Sequence, residues 1–151
     1  MISARLKELG ITLPSVAAPV ASYVPAVQYG NLVMTSGQLP FVDGVLPERG
    51  KVGWDVTQER AAELSRISAL NCLAAIDALV GIDKVKRVVK VTGFVASAEG
   101  FNGQPAVVNG ASELFGEIFP DMGGHARSAV GVFELPLGSP VEIEIVVEIA
   151  G

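Results

Sequence analysis

An arginine near the C-terminal end of the chain has the type and setting best suited to holding a ligand. Arg127 follows a glycine-rich loop and opens an otherwise apolar stretch. A guanidinium in such a place offers a rigid fork of donors that matches a carboxylate with two parallel hydrogen bonds. The alternative, which the spacing alone favours, is an arginine that caps the preceding helix or pairs with a neighbouring acid.

Glu142 is the second candidate, on a stretch in which apolar and acidic residues alternate. The alternation places Glu142, Glu144 and Glu148 on one face of a strand. A carboxylate beside an apolar pocket can have its pKa raised and can position or deprotonate a water. The alternative is the solvated face of an edge strand, and for Glu144 and Glu148 we favour it.

The stretch Thr35-Ser36-Gly37-Gln38 is the third candidate, because a predicted strand ends there in small polar residues and a glycine. Such a corner can present backbone N–H and C=O groups to a small ligand. The alternative is an ordinary turn at the end of a strand.

His125 is the only histidine of the chain and lies in a predicted loop between Gly124 and Ala126. A Ser-His-Asp triad would need it as the base. We favour the alternative, a loop histidine at the surface or at a subunit boundary.

Common motifs for nucleotide binding, for metal binding and for a catalytic serine are absent from the sequence. It has no P-loop, no dinucleotide-binding glycine pattern and no nucleophile elbow. Cys72 is the single cysteine, which excludes an internal disulfide and any multi-cysteine metal site. Nothing in the spacing suggests a metal site, since one histidine and one distant cysteine would leave nearly all the ligands to carboxylates.

The composition describes one apolar domain with an acidic balance. Of 151 residues, 50% are hydrophobic and 18% charged, with a net charge of −5; soluble domains average about 25% charged residues. The negative charge, and the lack of a basic or aromatic-interleaved stretch, argue against a nucleic-acid partner. Because so small a domain has limited core volume, the apolar excess suggests that copies of the chain cover part of it.

No membrane span or secretory signal is expected from the sequence. Residues 10–42 carry no charge, but Pro14, Pro19, Pro25 and Pro40 interrupt the run and polar residues are scattered through it. The N-terminus has no long apolar segment behind a basic start. With a single cysteine, this favours the cytosol.

The elements that position these candidates follow from hydrophobic periodicity. The patterns predict an α+β two-layer domain whose mixed or largely antiparallel sheet carries two main helices on one face. Helices are expected near residues 2–9, at 57–80, where Thr57 is the N-cap and Gly81 the end, and from Pro105 to Pro120 and the Gly123-Gly124 pair. Strands are expected at residues 21–28, 31–35, 85–96, 128–135 and 141–149, with turns and a short edge strand within 42–53.

Two segments in this order resemble a known family. Residues 30–40, GNLVMTSGQLP, are similar to the "GN-apolar-TSGQ-apolar-P" segment of the YjgF/RidA family, also called the L-PSP endoribonuclease family. The stretches Ala126-Arg127-Ser128, Leu135-Pro136 and residues 141–144 are similar to its "ARS…LP…VEIE" ending, and Gly50-Lys51-Val52 fits its "GK-apolar" signal. The resemblance covers about residues 22–148.

The resemblance implies a chorismate-mutase-like fold of the bacillus type and a homotrimer with clefts between subunits. The chain would be a single RidA/YjgF-like domain over residues 1–151, with residues 1–15 as an N-terminal helical extension. The best-known members hydrolyse reactive enamines and imines to 2-keto acids and ammonia without a cofactor. By position, Arg127 would grip the carboxylate of a small substrate and Glu142 would hold or activate water. The expected pocket residues besides Arg127 are Tyr23, Ser36, Gly37 and Asn109.

Several positions differ from the family pattern. Ala129 replaces a frequent cysteine, His125 replaces the proline before the Ala-Arg pair with an insertion around Gly123-Gly124, and Ser112 replaces an aromatic residue. The arginine and the glutamate are retained. Three functions stay open: an imine/enamine deaminase; a non-catalytic trimer that binds a small carboxylate as a sensor or partner; and an endoribonuclease or translation inhibitor, against which the charge speaks.

Overall fold

The structure is a computed structural model that describes residues 1–16, 19, 21–121 and 124–151. Helices and strands are interspersed along this part of the chain. Short 3₁₀ turns precede the third and fifth strands. In chain order the elements are α1 (Ile2–Glu8), β1 (Ala26–Tyr29), β2 (Leu32–Thr35), α2 (Gln58–Val80), β3 (Val85–Ala96), α3 (Gln104–Ile118), β4 (Ala126–Val132) and β5 (Val141–Ile149).

The five strands form one mixed sheet in the order β1-β2-β5-β3-β4. β3 and β4 are parallel and are joined through α3, whereas the other neighbouring strands are antiparallel. A parallel pair needs such a crossover, and a helix commonly supplies it. The predicted α+β class with a mixed sheet is confirmed.

The two long helices cover the same face of this sheet. α2 packs against β1, β2 and β5, while α3 packs against β3, β4 and α2. Along β5 every second residue is buried, beginning with Val141 and ending with Ile149. The glutamates between them face the opposite, open side. Because β5 lies between β2 and β3, the edge-strand interpretation of the glutamate face is wrong.

Helix ends and the first hairpin follow the predicted signals. The Thr57 hydroxyl accepts a hydrogen bond from the Arg60 N–H, and α2 ends at Gly81 with φ +86. Tyr29 pairs with Leu32 across a two-residue loop. Gly30 has φ +59 there, as a type II′ hairpin turn requires at its first central position.

Three predicted strands differ from the observed ones. β1 begins at Ala26 rather than at residue 21, since Pro25 has no N–H to give to a ladder. Residues 42–53 form isolated bridges instead of a short edge strand, because Gly44, Gly50 and Gly53 adopt positive φ. β4 ends at Val132 rather than at residue 135, since its partner β3 ends at Ala96.

Two further expectations from the sequence concern the N-terminal helix and the glycine pair after α3. The N-terminal helix expected near residues 2–9 is present over Ile2–Glu8. Of the Gly123-Gly124 pair that was expected to follow α3, Gly123 lies outside the described residues. Within the described residues, no helix has the length and apolar character needed to cross a bilayer.

The contact between α2 and α3 gives a first prediction, because a Cβ on Gly110 would overlap the backbone carbonyl of Ala62. We expect Gly110→Ala to lower the free energy of unfolding by about 2 kcal/mol or more, since the helices must separate. Gly116→Ala on the same helix is the matched control, because a Cβ there meets nothing within 4 Å; it should be neutral or raise stability by about 0.5–1 kcal/mol. Urea denaturation measures both, and equal effects would contradict the packing described here.

Candidate functional site

Arg127 lies near the start of β4 and reaches the crossover helix α3. Its Nη1 donates to Asn109 Oδ1 at 2.7 Å and to Ser112 Oγ at 3.2 Å. No ion pair among the described residues involves Arg127, so the alternative of a pairing with a neighbouring acid is wrong. Two neutral oxygens orient the guanidinium without neutralising it, which suits it to a ligand anion.

Ser112 is a contact of this arginine that the sequence did not assign to the pocket. It lies three residues after Asn109 on α3, so both project from one helix face. Its Oγ is also 2.9 Å from His125 Nε2. The His125 ring meets the Phe115 ring edge-on, with centroids 6.1 Å apart. His125 lies in the loop before β4, as expected, and is half-buried. The i, i+3 spacing from Asn109 was the signal that could have found Ser112.

Glu142 lies on the open face of the sheet, directly against Gly37. A Cβ placed on Gly37 would be 2.6 Å from Glu142 Oε1, so any larger residue there would displace the carboxyl group from this position. Two backbone hydrogen bonds between Gln38 and Ile143, of 2.7 and 3.1 Å, fix this contact. Burial raises the pKa of Glu142, and the nearby charge of Glu144 adds to the increase.

Ser36, which precedes Gly37, is hydrogen-bonded to the segment that carries Tyr23. The Ser36 hydroxyl donates to the Val24 carbonyl at 2.6 Å, and the Ser36 N–H donates to the Pro25 carbonyl at 2.8 Å. These bonds hold the segment that carries Tyr23, whose side chain is 44% exposed, beside the corner at Gly37.

The candidate residues therefore form two groups. The Glu142 group comprises Tyr23, Ser36, Gly37 and Glu142. The Arg127 group comprises Asn109, Ser112, His125 and Arg127.

The two groups do not meet within one chain. Arg127 pairs with Val91, and Glu142 pairs with Phe94, on opposite sides of β3. Three residues along a strand and two strand spacings put their Cα atoms about 14 Å apart. The Arg127 side chain reaches α3 on the helix-covered face, whereas Glu142 lies on the open face. One ligand cannot touch both residues of the same chain.

The side chains that the structure describes form neither a metal site nor a reactive thiol. No cluster of three or more His, Cys, Asp or Glu side chains within the described residues could hold a metal ion. Cys72 is buried, its thiol donates to the Ile143 carbonyl at 3.2 Å, and burial raises its pKa to about 12. A thiol in that state is a core residue and not a nucleophile.

Comparisons with known proteins agree with this architecture. The model of the family described as "YjgF/chorismate mutase-like, putative endoribonuclease" matches residues 3–149. The chain is 41% identical over 150 residues to protein TCP17 of Trypanosoma cruzi, covering 98% of this chain and 94% of that protein. It is 33% identical over 140 residues to the 2-iminobutanoate/2-iminopropanoate deaminase of Escherichia coli K12, covering 90% and 94%.

Solved structures give the same result. The protein Atu1372 of Agrobacterium tumefaciens, whose function is described as unknown, superposes with a TM-score of 0.90 and 44% identity, over 99% of this chain and 92% of that one. Escherichia coli TdcF with bound serine superposes with a TM-score of 0.64 and 25% identity, over 92% and 96%. The family match over nearly the whole chain, the relatives and the shared fold lead to one conclusion: the chain belongs to the YjgF/RidA family.

Proposed function

We propose that this protein hydrolyses reactive 2-imino and 2-enamino acids to 2-keto acids and ammonia. The observation that carries the proposal is Arg127, a half-buried guanidinium that is held, among the described residues, only at Nη1 and only by neutral oxygens. Its Nε and Nη2 remain for a ligand carboxylate, which they can bind in a bidentate manner. The deaminase name of relatives about one-third identical supports the same substrate class.

The proposed hydrolysis requires only two functional groups from the protein. Water adds to the electrophilic carbon of the C=N bond, the electron pair of that bond moves to nitrogen, and nitrogen takes up a proton. The resulting carbinolamine expels ammonia as its hydroxyl group becomes the keto oxygen. An enamine first takes a proton on carbon to become the imine. A carboxylate clamp that orients the imine and a base that takes the proton of water are sufficient parts.

Glu142 supplies the base in this proposal. Its pKa is raised by burial and by Glu144, and a base is most efficient when its pKa lies near the working pH. Gly37 leaves the space in which the carboxyl group, a water and the reacting carbon would meet. Tyr23 and Ser36 line the same side, and Asn109 orients Arg127 from the other. No cofactor or metal has a part in these steps.

A second copy of the chain is part of the proposal, because the two groups lie on opposite faces of one sheet. The open face also carries apolar side chains that a lone chain leaves to solvent, among them Val27 at 48%, Met34 at 37% and Val130 at 42% exposure. Both facts fit a homotrimer in which the Arg127 group of one copy faces the Glu142 group of the next. In this arrangement residues 1–151 act as one domain in the cytosol, with residues 1–15 as an outer extension.

Substitution of the two central residues tests the activity. With freshly generated 2-iminobutanoate as substrate, we expect Arg127→Ala to lower kcat/KM about 10- to 100-fold, since a bidentate charged contact is lost. Glu142→Gln should lower kcat about 10²- to 10⁴-fold, since the base is lost. The measurement is the loss of the imine relative to buffer. Arg87→Ala is the matched control, because Arg87 pairs with Glu148 at the surface and its loss should leave the rate unchanged.

Two results would contradict the proposal and point to the other open functions. If the protein does not accelerate hydrolysis but 2-ketobutyrate raises its melting temperature through Arg127, it is a binding protein. If RNA cleavage survives repurification and disappears with Arg127→Ala, it is a ribonuclease.

Mixed oligomers test the shared site. Each trimer that contains both Arg127→Ala and Glu142→Ala chains, purified through two different tags, has a single junction at which both residues are intact. We therefore expect about one third of the wild-type kcat/KM per chain, although each variant alone keeps about a tenth of it or less. A site within one chain predicts no recovery, and this outcome would contradict the shared cleft.

The raised pKa of Glu142 also predicts a pH-dependent stability. The folded chain holds the Glu142 proton more tightly than the unfolded chain, so stability falls as pH rises from the ordinary carboxyl value, about 4.3, through the raised one. Glu142→Gln stays neutral, so its melting temperature should exceed that of the wild type at pH 8 and match it near pH 4. Glu113→Gln at an exposed position of α3 controls for lost charge; an equal rise there would contradict the assignment.

A further inference from the structure

Two of the positions at which this chain departs from its family lie in contact with each other. Ser112 stands where the resemblance leads one to expect an aromatic residue, and His125 stands in place of a proline. They are 13 residues apart in the sequence, yet Ser112 Oγ and His125 Nε2 are 2.9 Å apart. Both belong to the Arg127 group, because Ser112 Oγ also accepts from Arg127 Nη1. The two residues therefore belong to one cluster beside the arginine.

The hydrogen bonds in this cluster join Arg127 to His125 through one oxygen atom. A guanidinium has donors only, so Ser112 Oγ accepts from Arg127. The same oxygen shares a hydrogen bond with His125 Nε2, in which the tautomer of the ring sets which atom donates. Ser112 therefore links the guanidinium to the imidazole, and each bond polarises the next.

The core holds this cluster in place. Phe115, which is fully buried, meets the His125 ring at an interplanar angle of 88°. It lies three residues after Ser112 on α3, so these two contacts of His125 come from the same helix. The imidazole ring thus lies beside the small Ser112 side chain. Where the resemblance leads one to expect an aromatic side chain, this chain has a serine that forms hydrogen bonds.

We propose that Ser112 and His125 are a positioning pair for Arg127. Neither is placed in contact with the substrate; they act by fixing the plane of the guanidinium, with Asn109 as the third support. The structural part of this inference stands on the contacts alone. Its consequence for the reaction rests on the proposed function, in which Arg127 holds the substrate carboxylate.

The first experiment needs no ligand and measures how fast phenylglyoxal modifies Arg127, followed by peptide mass spectrometry. Ser112→Ala removes one of the two bonds to Nη1, and His125→Ala leaves the Ser112 hydroxyl without the contact that orients it, so both should raise the rate about three- to tenfold. His125→Gln retains both a donor and an acceptor and should stay within about twofold of the wild type. Arg87 in the same samples is the internal reference and should not change. If Ser112→Ala fails to fold, Ser112→Cys keeps the volume and weakens the bond.

The second experiment measures imine hydrolysis and the affinity for 2-ketobutyrate in the same variants. We expect KM and Kd to rise about five- to twentyfold for Ser112→Ala and His125→Ala, with kcat little changed and with rescue by His125→Gln. The double variant should match Ser112→Ala, since the two residues act in series.

The outcomes separate the two proposals. An unchanged modification rate of Arg127 in every variant overturns the positioning pair, whatever the kinetics show. A faster modification rate with unchanged KM and Kd supports the pair but contradicts Arg127 as the carboxylate clamp, and with it the proposed function. Equal losses of melting temperature without any change in Arg127 reactivity identify a purely structural role and overturn the inference.

Discussion

The register of β5 is the constraint on which the rest of the structure depends. This strand pairs with β2 on one side and β3 on the other, and its alternation directs five aliphatic side chains under the helices. A slip of one residue would turn Glu142, Glu144 and Glu148 into the core and the aliphatic residues out of it. The same register pairs Ile143 with Gln38, so the hydrophobic pattern of one strand also brings the Glu142 carboxyl group to Gly37.

Both candidate charges lie in surroundings that leave them available. Among the described residues the half-buried Arg127 side chain meets only neutral oxygens, whereas burial and a second carboxylate raise the pKa of Glu142 and so disfavour its ionised form. The arrangement at Glu142 costs stability when its carboxyl group is ionised, and Arg127 keeps donors for a bound anion. Functional sites often contain a group whose surroundings shift its protonation as they do for Glu142, whereas surface ion pairs such as Arg87–Glu148 neutralise one another.

Local signals were sufficient for the elements and insufficient for their assembly. Thr57 and Gly81 mark the ends of α2 because capping chemistry is local, and the alternation of β5 identifies its buried face. By contrast, residues 21–25 and 42–53 form no named strand, because strand formation depends on partners that no local pattern specifies. The separation of Arg127 from Glu142 follows from the strand order, in which β5 and β4 flank β3. The contact between Ser112 and His125 also depends on the tertiary structure. In the sequence the two residues are separate differences from the family pattern, whereas in the fold they form a hydrogen-bonded pair.

The close approach of the helices at Gly110 has a consequence for how this protein can change over evolution. Gly110 lies between Asn109 and Ser112 on α3 and rests on the backbone of α2 at Ala62. The distance of both arginine supports from α2 is therefore set by bare backbone, with no flexible side chain to absorb a displacement. Substitutions on the buried side of α2 would be transmitted to the guanidinium. New ligand preferences are accessible through residues that never touch a ligand, and a comparison of pocket linings alone would overlook them.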